Sequence, residues 1–199
     1  MINISMEWRR IMTNNTTAIK KSNAFNLTVI ALMAAVICIL GPLSIPLPVS
    51  PVPISFTNLA IYFAVILLGW KRGTLSYIIY LLIGMVGVPV FSGFTGGLGK
   101  LVGPTGGYLV GFIFMAIIAG WFIEKYEGNM LMYFVGMILG TIVTYALGTL
   151  WLAYVAGMSI KAALVAGVLF YIPGDVAKMI IAAIAGGAIR KRLKRGNLI

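Results

Sequence analysis

Long apolar runs alternate along this chain with short polar or glycine-rich breaks. A helix needs about 20 mostly apolar residues to cross a bilayer. Runs near that length fall at 26–44, 55–70, 73–90, 106–123 and 130–155. The last stretch, 162–189, would form a helix of about 42 Å at about 1.5 Å per residue, too long for a hydrocarbon core of about 30 Å. Pro173 and Gly174 interrupt it, and proline is well placed in the first turn of a helix. The pattern predicts a final span at 173–190, preceded at 159–171 by a short helix or re-entrant segment. The expected fold is an all-α integral membrane protein of six transmembrane helices. A single membrane domain at 26–190 would lie between an N-terminal arm, 1–25, and a basic tail, 191–199.

Composition supports that class. Of the 199 residues 61% are hydrophobic and 10% charged, whereas soluble domains carry about 25% charged residues. A water-facing surface cannot be built from so few ionisable groups. The arm has no apolar signal region before Leu27 and no small-residue cleavage site after it, and reads as a retained cytoplasmic segment.

The net charge of +11 does not indicate nucleic acid, because the basic residues sit between apolar runs rather than along one soluble face. With both termini inside, the cytoplasmic side holds Arg9, Arg10, Lys20, Lys21, Lys71, Arg72, Lys125, Arg190, Lys191, Arg192, Lys194 and Arg195. The outside holds Lys100 and Lys161. That is the bias expected of cytoplasmic loops. Trp70, Trp121 and Trp151 fall near span ends, as interfacial aromatics do.

Chemistry is excluded as readily as it is suggested. The chain has no histidine and one cysteine, Cys38. A histidine zinc site, a serine–histidine–aspartate triad and an intrachain disulfide are ruled out. Cys38 reads as a small hydrophobe within a helix. The four acids are Glu7, Glu124, Glu127 and Asp175, and only Asp175 falls within a span. A paired-carboxylate intramembrane protease lacks its second acid. Neither a cofactor nor a metal is expected.

Two outer loops remain. Residues 41–55 carry prolines at 42, 46, 48, 51 and 53, which preclude regular helix and favour a stiff, extended chain. Such a loop suits a pocket rim. Residues 90–108 carry seven glycines, which permit close backbone approach to a ligand. This second loop is no nucleotide-binding loop: Gly99-Lys100 is followed by Leu101, and Phe94 stands where the first glycine is required.

Asp175 and Lys178 are opposite charges three residues apart in the last span. They share one helix face, and ionisable groups within a membrane mark functional sites. Together they offer an acceptor and a donor for a cyclic urea or amide, and another small polar ligand would fit nearly as well. Asp175 could instead cap its helix, with Lys178 reaching toward the interface. In the first span Ala31 and Ala35, with Ala34 beside them, form a small-residue face for close packing, against either a neighbouring span or another subunit.

Ser50-Pro-Val-Pro-Ile54, Gly87-Val-Pro-Val-Phe91, Gly96-Gly-Leu98, Gly103-Pro-Thr-Gly-Gly-Tyr-Leu109 and Ile172-Pro-Gly-Asp-Val-Ala-Lys178, in this order and spacing, resemble the BioY family of biotin-specific S components of energy-coupling factor (ECF) transporters. The resemblance implies a six-helix fold in a prokaryotic cell membrane. It implies a biotin pocket open to the outside, with Asp175 and Lys178 at the ureido ring. Phe91, Ser92, Phe94, Thr95, Gly96, Gly97, Leu98 and Tyr108 would complete the pocket from the glycine loop. It implies that Ala31 and Ala35 meet a coupling transmembrane subunit, which joins two ATPase subunits to the complex. Many relatives have Thr-Leu-Gln-Thr-Leu where this chain has Ser55-Phe-Thr-Asn-Leu59, so Asn58 or Thr57 stands in for the glutamine. Lys100 is placed to draw in the ligand's carboxylate. The competing readings are an S component for thiamine or a flavin, with Phe91, Phe94, Tyr108 and Trp151 stacking on the ligand, and an intramembrane enzyme.

Overall fold

The computed structural model describes residues 23–48 and 50–196. The N-terminal arm lies almost entirely outside the described residues. Helix α1 (Asn23–Leu40) leads into a β-hairpin, β1 (Ser44–Leu47) and β2 (Ser50–Ser55). Helices α2 (Thr57–Leu68), α3 (Trp70–Met85), the short α4 (Leu98–Val102), α5 (Gly106–Lys125) and α6 (Met130–Ala156) follow. The chain ends in α7 (Ile160–Leu164), α8 (Ile172–Ile181) and α9 (Gly187–Arg195), with π-helical turns at Val165–Leu169 and Ala182–Gly186.

Among the described residues four helical units are long and apolar enough to cross a membrane: Asn23–Leu40, Gly106–Lys125, Met130–Ala156 and Ile160–Arg195. The last is one continuous helical unit. The segment expected at 159–171 is therefore a helix with a π-helical turn, leading directly into the last helix. Pro173 falls in the first turn of α8, where its missing N–H removes no helical bond.

Three predicted boundaries move. The first run ends at Leu40 rather than 44, because the chain enters β1 at Ser44. The third begins at Trp70 and ends at Met85, since Gly69, at φ +84°, turns the corner between α2 and α3. The last helix continues to Arg195, so the basic tail expected from 191 extends the helix.

At 12 residues, α2 is the shortest of the large apolar helices, and it lies at the centre. It packs against α1, α3, α5, α8 and α9. It buries Ala60, Ile61, Tyr62, Ala64, Val65 and Ile66 completely, as expected for a helix apolar on every side. Around it, α5 and α6 form the most extensive helix pair. They approach closely through glycine: a Cβ on Gly111 would stand 2.9 Å from Thr144 Cα, and one on Gly148 would collide with the Tyr108 ring.

The molecule has two chemically different ends. One gathers the hairpin, the 86–105 loop, and the α6–α7 and α7–α8 junctions. Gly93 N donates to Pro42 O at 3.0 Å, Trp151 Nε1 to Gly103 O at 2.9 Å, and the Tyr171 hydroxyl to Val52 O. The other end is basic. There Arg190 donates to Glu127 Oε1 at 3.0 Å and to Ile66 O, and Lys194 also pairs with Glu127. Hydrogen bonds from Lys194 and Arg190, with their positive charge, hold the Glu127 carboxyl below its ordinary value.

Candidate functional site

The prolines of 41–55 do make an extended chain, and it pairs with itself. Ser44 faces Ser55 and Ile45 faces Ile54, with a register shift before Leu47 faces Ser50. The hairpin lies over the first turns of α2 and α8. Beneath it is a cavity whose space, open mouth included, is about 660 Å³. Val52, Pro53 and Ser55 line it from the hairpin, Thr57 and Asn58 from α2, and Tyr108, Leu109, Phe112 and Met115 from α5. Thr141, Thr144 and Tyr145 come from α6, and Asp175 and Lys178 from α8. The lining is mostly apolar, with polar groups converging at one side.

Those groups centre on Asp175. Its Oδ1 accepts from Asn58 Nδ2 at 2.8 Å and from Lys178 Nζ at 3.0 Å. Its Oδ2 accepts from the Tyr145 hydroxyl at 2.6 Å. Lys178 Nζ also donates to Ser55 O at 2.7 Å and to Asn58 Oδ1 at 3.1 Å. Asp175 and Lys178 are both buried, at 7% exposure. The charges are thus paired and hydrogen-bonded, the condition for holding ionised groups away from water. The carboxylate bonds to these three side chains, an arrangement different from a helix cap.

Counting donors shows what the site has left. An ammonium has three N–H groups, and all three of Lys178's face protein acceptors. Asp175 Oδ2 has one partner and room for a second. Asn58 Nδ2 has a second N–H with no partner among the described residues. One acceptor and one donor remain, held rigidly by a network that is otherwise complete.

The structure brings only part of the expected set to this cavity. Asp175, Lys178, Ser92 and Tyr108 line it. Phe91 does not: it is wholly buried in the core, edge-on to Tyr80 with centroids 5.6 Å apart. Phe91 and Thr95 pair backbone to backbone, N–H to carbonyl, at 2.9 and 3.3 Å. That tight turn leaves Phe94 66% exposed at its tip. Thr95, Gly96, Gly97 and Leu98 follow on the outside, away from the wall. The loop folds on itself and on Gly84 O, which accepts from Gly97 N at 2.7 Å. Lys100 is off the wall too, and partial burial lowers its ammonium from its ordinary value. Of the four residues considered for stacking on a flat vitamin, Tyr108 alone reaches the cavity, while Trp151 is tied to Gly103.

Ala31 and Ala35 are exposed on the outer face of α1, while Ile30, Ala34 and Ile37 pack inward. Among the described residues no neighbouring span covers Ala31 and Ala35.

Sequence reasoning missed Tyr145 and Tyr171. Both stand in apolar runs that carry no charged residue beside them. A signal existed in α6: Thr141, Thr144, Tyr145 and Thr149 recur at three- and four-residue spacing, a polar stripe in a membrane helix.

With this geometry in hand, relatives are informative. The BioY family model matches residues 12–195. The chain belongs to the BioY family. It is 39% identical over 173 residues to the biotin transporter BioY of Rhizobium etli, covering 82% of this chain and 92% of that protein. It is 32% identical over 178 residues to the biotin transporter BioY2 of Lactococcus lactis, covering 89% and 97%. Among solved structures it resembles the S-component for biotin from an ECF-type ABC transporter, with a TM-score of 0.80 and 33% identity. That match covers 86% of this BioY-family chain and 94% of the other.

Proposed function

We propose that this chain is the substrate-binding membrane subunit of a biotin uptake transporter, and that the cavity under the hairpin is its biotin site. The observation that carries the reading is the converging set of Asp175, Asn58, Tyr145 and Lys178 at the side of an otherwise apolar cavity. A cyclic urea needs an acceptor for its N–H and a donor for its carbonyl. Asp175 Oδ2 supplies the first and the second Asn58 N–H the second. Lys178, with its protons committed, fixes the carboxylate and the Ser55 carbonyl. The apolar walls from α5 accommodate the hydrocarbon part of the ligand. The biotin-named relatives favour this ligand over thiamine or a flavin.

In this reading the protein crosses the plasma membrane of a prokaryote six times. The cavity end faces outward and both termini face the cytoplasm, in keeping with the basic residues at the opposite end. Helix α2 is too short to span alone, but it is enclosed by other helices, so protein satisfies its ends. The chain captures biotin, and an ATP-driven module of a coupling transmembrane subunit and two ATPase subunits moves it inward. The exposed Ala31–Ala35 face is the docking surface for the coupling subunit. An intramembrane enzyme is disfavoured because the only acid on the cavity wall among the described residues is already bonded to three side chains.

Equilibrium binding of labelled biotin to the purified protein, competed with unlabelled biotin, thiamine or riboflavin, tests the ligand. Saturable binding displaced by biotin alone is expected. Displacement by another vitamin, with no biotin binding, would overturn the assignment. Uptake into vesicles with and without the ATPase module tests the coupling.

A further inference from the structure

At the basic end, far from the cavity, a second open space of about 1,260 Å³ separates the start of α6 from the end of the last helix. Met130 and Tyr133 form one wall; Ala183, Ile184, Gly187 and Ala188 form the other. Its rim carries Arg190, Lys191, Lys194 and Arg195, with Glu127 as the one acid among the described residues. Glu127 is taken by Arg190 and Lys194. Lys191 and Arg195 are exposed and have no ion-pair partner among the described residues.

We propose that this groove binds an anionic glycerophospholipid, with the phosphate at Lys191, Lys194 and Arg195 and an acyl chain along the small-residue trough. The shape and the charge agree. From Ala183 to Arg195 the helix rises about 18 Å, at about 1.5 Å per residue, enough for a headgroup and a good part of one chain. The trough is apolar and bordered by lipid-facing side chains: Met130 is 48% exposed and Ile184 56%. Gly187 opens directly onto it, since a Cβ there would meet nothing within 4 Å. Basic pockets between membrane helices on the cytoplasmic side suit phospholipid headgroups. The excess of two unpaired cations matches an anionic lipid rather than a zwitterionic one. The inference requires only that this end lies at a membrane interface, and it is independent of the biotin assignment.

Native mass spectrometry of the full-length protein, released from mixed phosphatidylglycerol and phosphatidylcholine micelles, tests it. A retained phosphatidylglycerol adduct is expected, in preference to phosphatidylcholine. Each cation near an anionic surface is worth about fivefold, so K191Q/R195Q should reduce the adduct roughly twenty-five-fold. K71Q/R192Q removes the same charge outside the groove and should retain it. G187L fills the trough without changing charge and should also lose the adduct, and millimolar inorganic phosphate should not displace it. Equal loss in both charge variants, equal retention of the two lipids, or an unaffected G187L would overturn the proposal. So would displacement by free phosphate, or a dimer abolished by K191Q/R195Q in place of the lipid adduct.

Discussion

Asn58 and Asp175 lie 117 positions apart in the chain, yet Asn58 Nδ2 donates to Asp175 Oδ1 at 2.8 Å, while Asn58 Oδ1 accepts from Lys178 at 3.1 Å. One amide therefore bridges both members of the buried ion pair. It reaches both because α2 is packed directly against α8.

Asp175→Asn should insert and fold but bind biotin poorly. A hydrogen bond to a charged group is worth about 1.5–3 kcal/mol, so the expected loss is roughly ten- to a hundredfold in affinity. Titration calorimetry, alongside a melting curve, separates lost binding from lost fold. Wild-type affinity would assign the carboxylate a structural role alone.

Tyr145→Phe removes the hydroxyl that donates to Asp175 Oδ2 and keeps the ring. The loss of one such bond, to a charged acceptor, costs about 1.5–3 kcal/mol. Biotin affinity should fall roughly ten- to a hundredfold, through a faster off-rate. An unchanged off-rate would mean that Tyr145 does not position the carboxylate.

Tyr171→Phe should loosen the hairpin rather than the cavity floor. The hydroxyl reaches Val52 O, and Ser50 Oγ at 2.9 Å, tying α8 to β2. Hydrogen exchange at the amides of Val52 and Ile54 should quicken several-fold, while exchange in α2 stays at the wild-type rate. Equal acceleration in both elements would point to global destabilisation.

Gly148→Leu should be poorly tolerated, because the added carbon meets the Tyr108 ring where α5 and α6 touch. Overpacking of this kind costs about 1–3 kcal/mol or more. The thermal midpoint should drop by several degrees. Gly187→Leu, in open space, serves as the comparison and should leave it nearly unchanged.

The Glu127 cluster carries a pH dependence on the acid side. The folded state lowers the glutamate's proton affinity below its ordinary value of 4.5. Its contribution is therefore fully present above that value and is lost as pH falls through the lowered one. The side chain is 42% exposed, so solvent screening keeps the effect small. Melting temperatures of wild type and Glu127→Gln should differ at pH 7 and converge as pH falls through the lowered value; a constant difference would remove the ion cluster as the cause.

Much of this molecule is legible in its sequence because a bilayer constrains composition and run length so strongly. The shortage of charge, the apolar runs, the bias of lysine and arginine and the isolated Asp175–Lys178 pair needed no coordinates. Their i, i+3 spacing alone places the pair on one face, and the structure closes it at 3.0 Å. Local rules also anticipated an extended proline segment and a helix entering at Pro173. What they could not supply was which distant groups share a cavity. The hairpin's self-pairing depends on register between two short strands. The folding of Phe94 to Leu98 outward depends on the turn that Phe91 anchors in the core. The meeting of Asn58, Tyr145 and Asp175 depends on how three helices cross. Those are long-range packing outcomes, set by small residues such as Gly111 and Gly148 that determine how closely helices approach. So the sequence by itself determined a membrane receptor with one buried charged centre. Only the tertiary structure decided that Lys178 is fully engaged within the protein, leaving Asp175 and Asn58 with the free acceptor and donor.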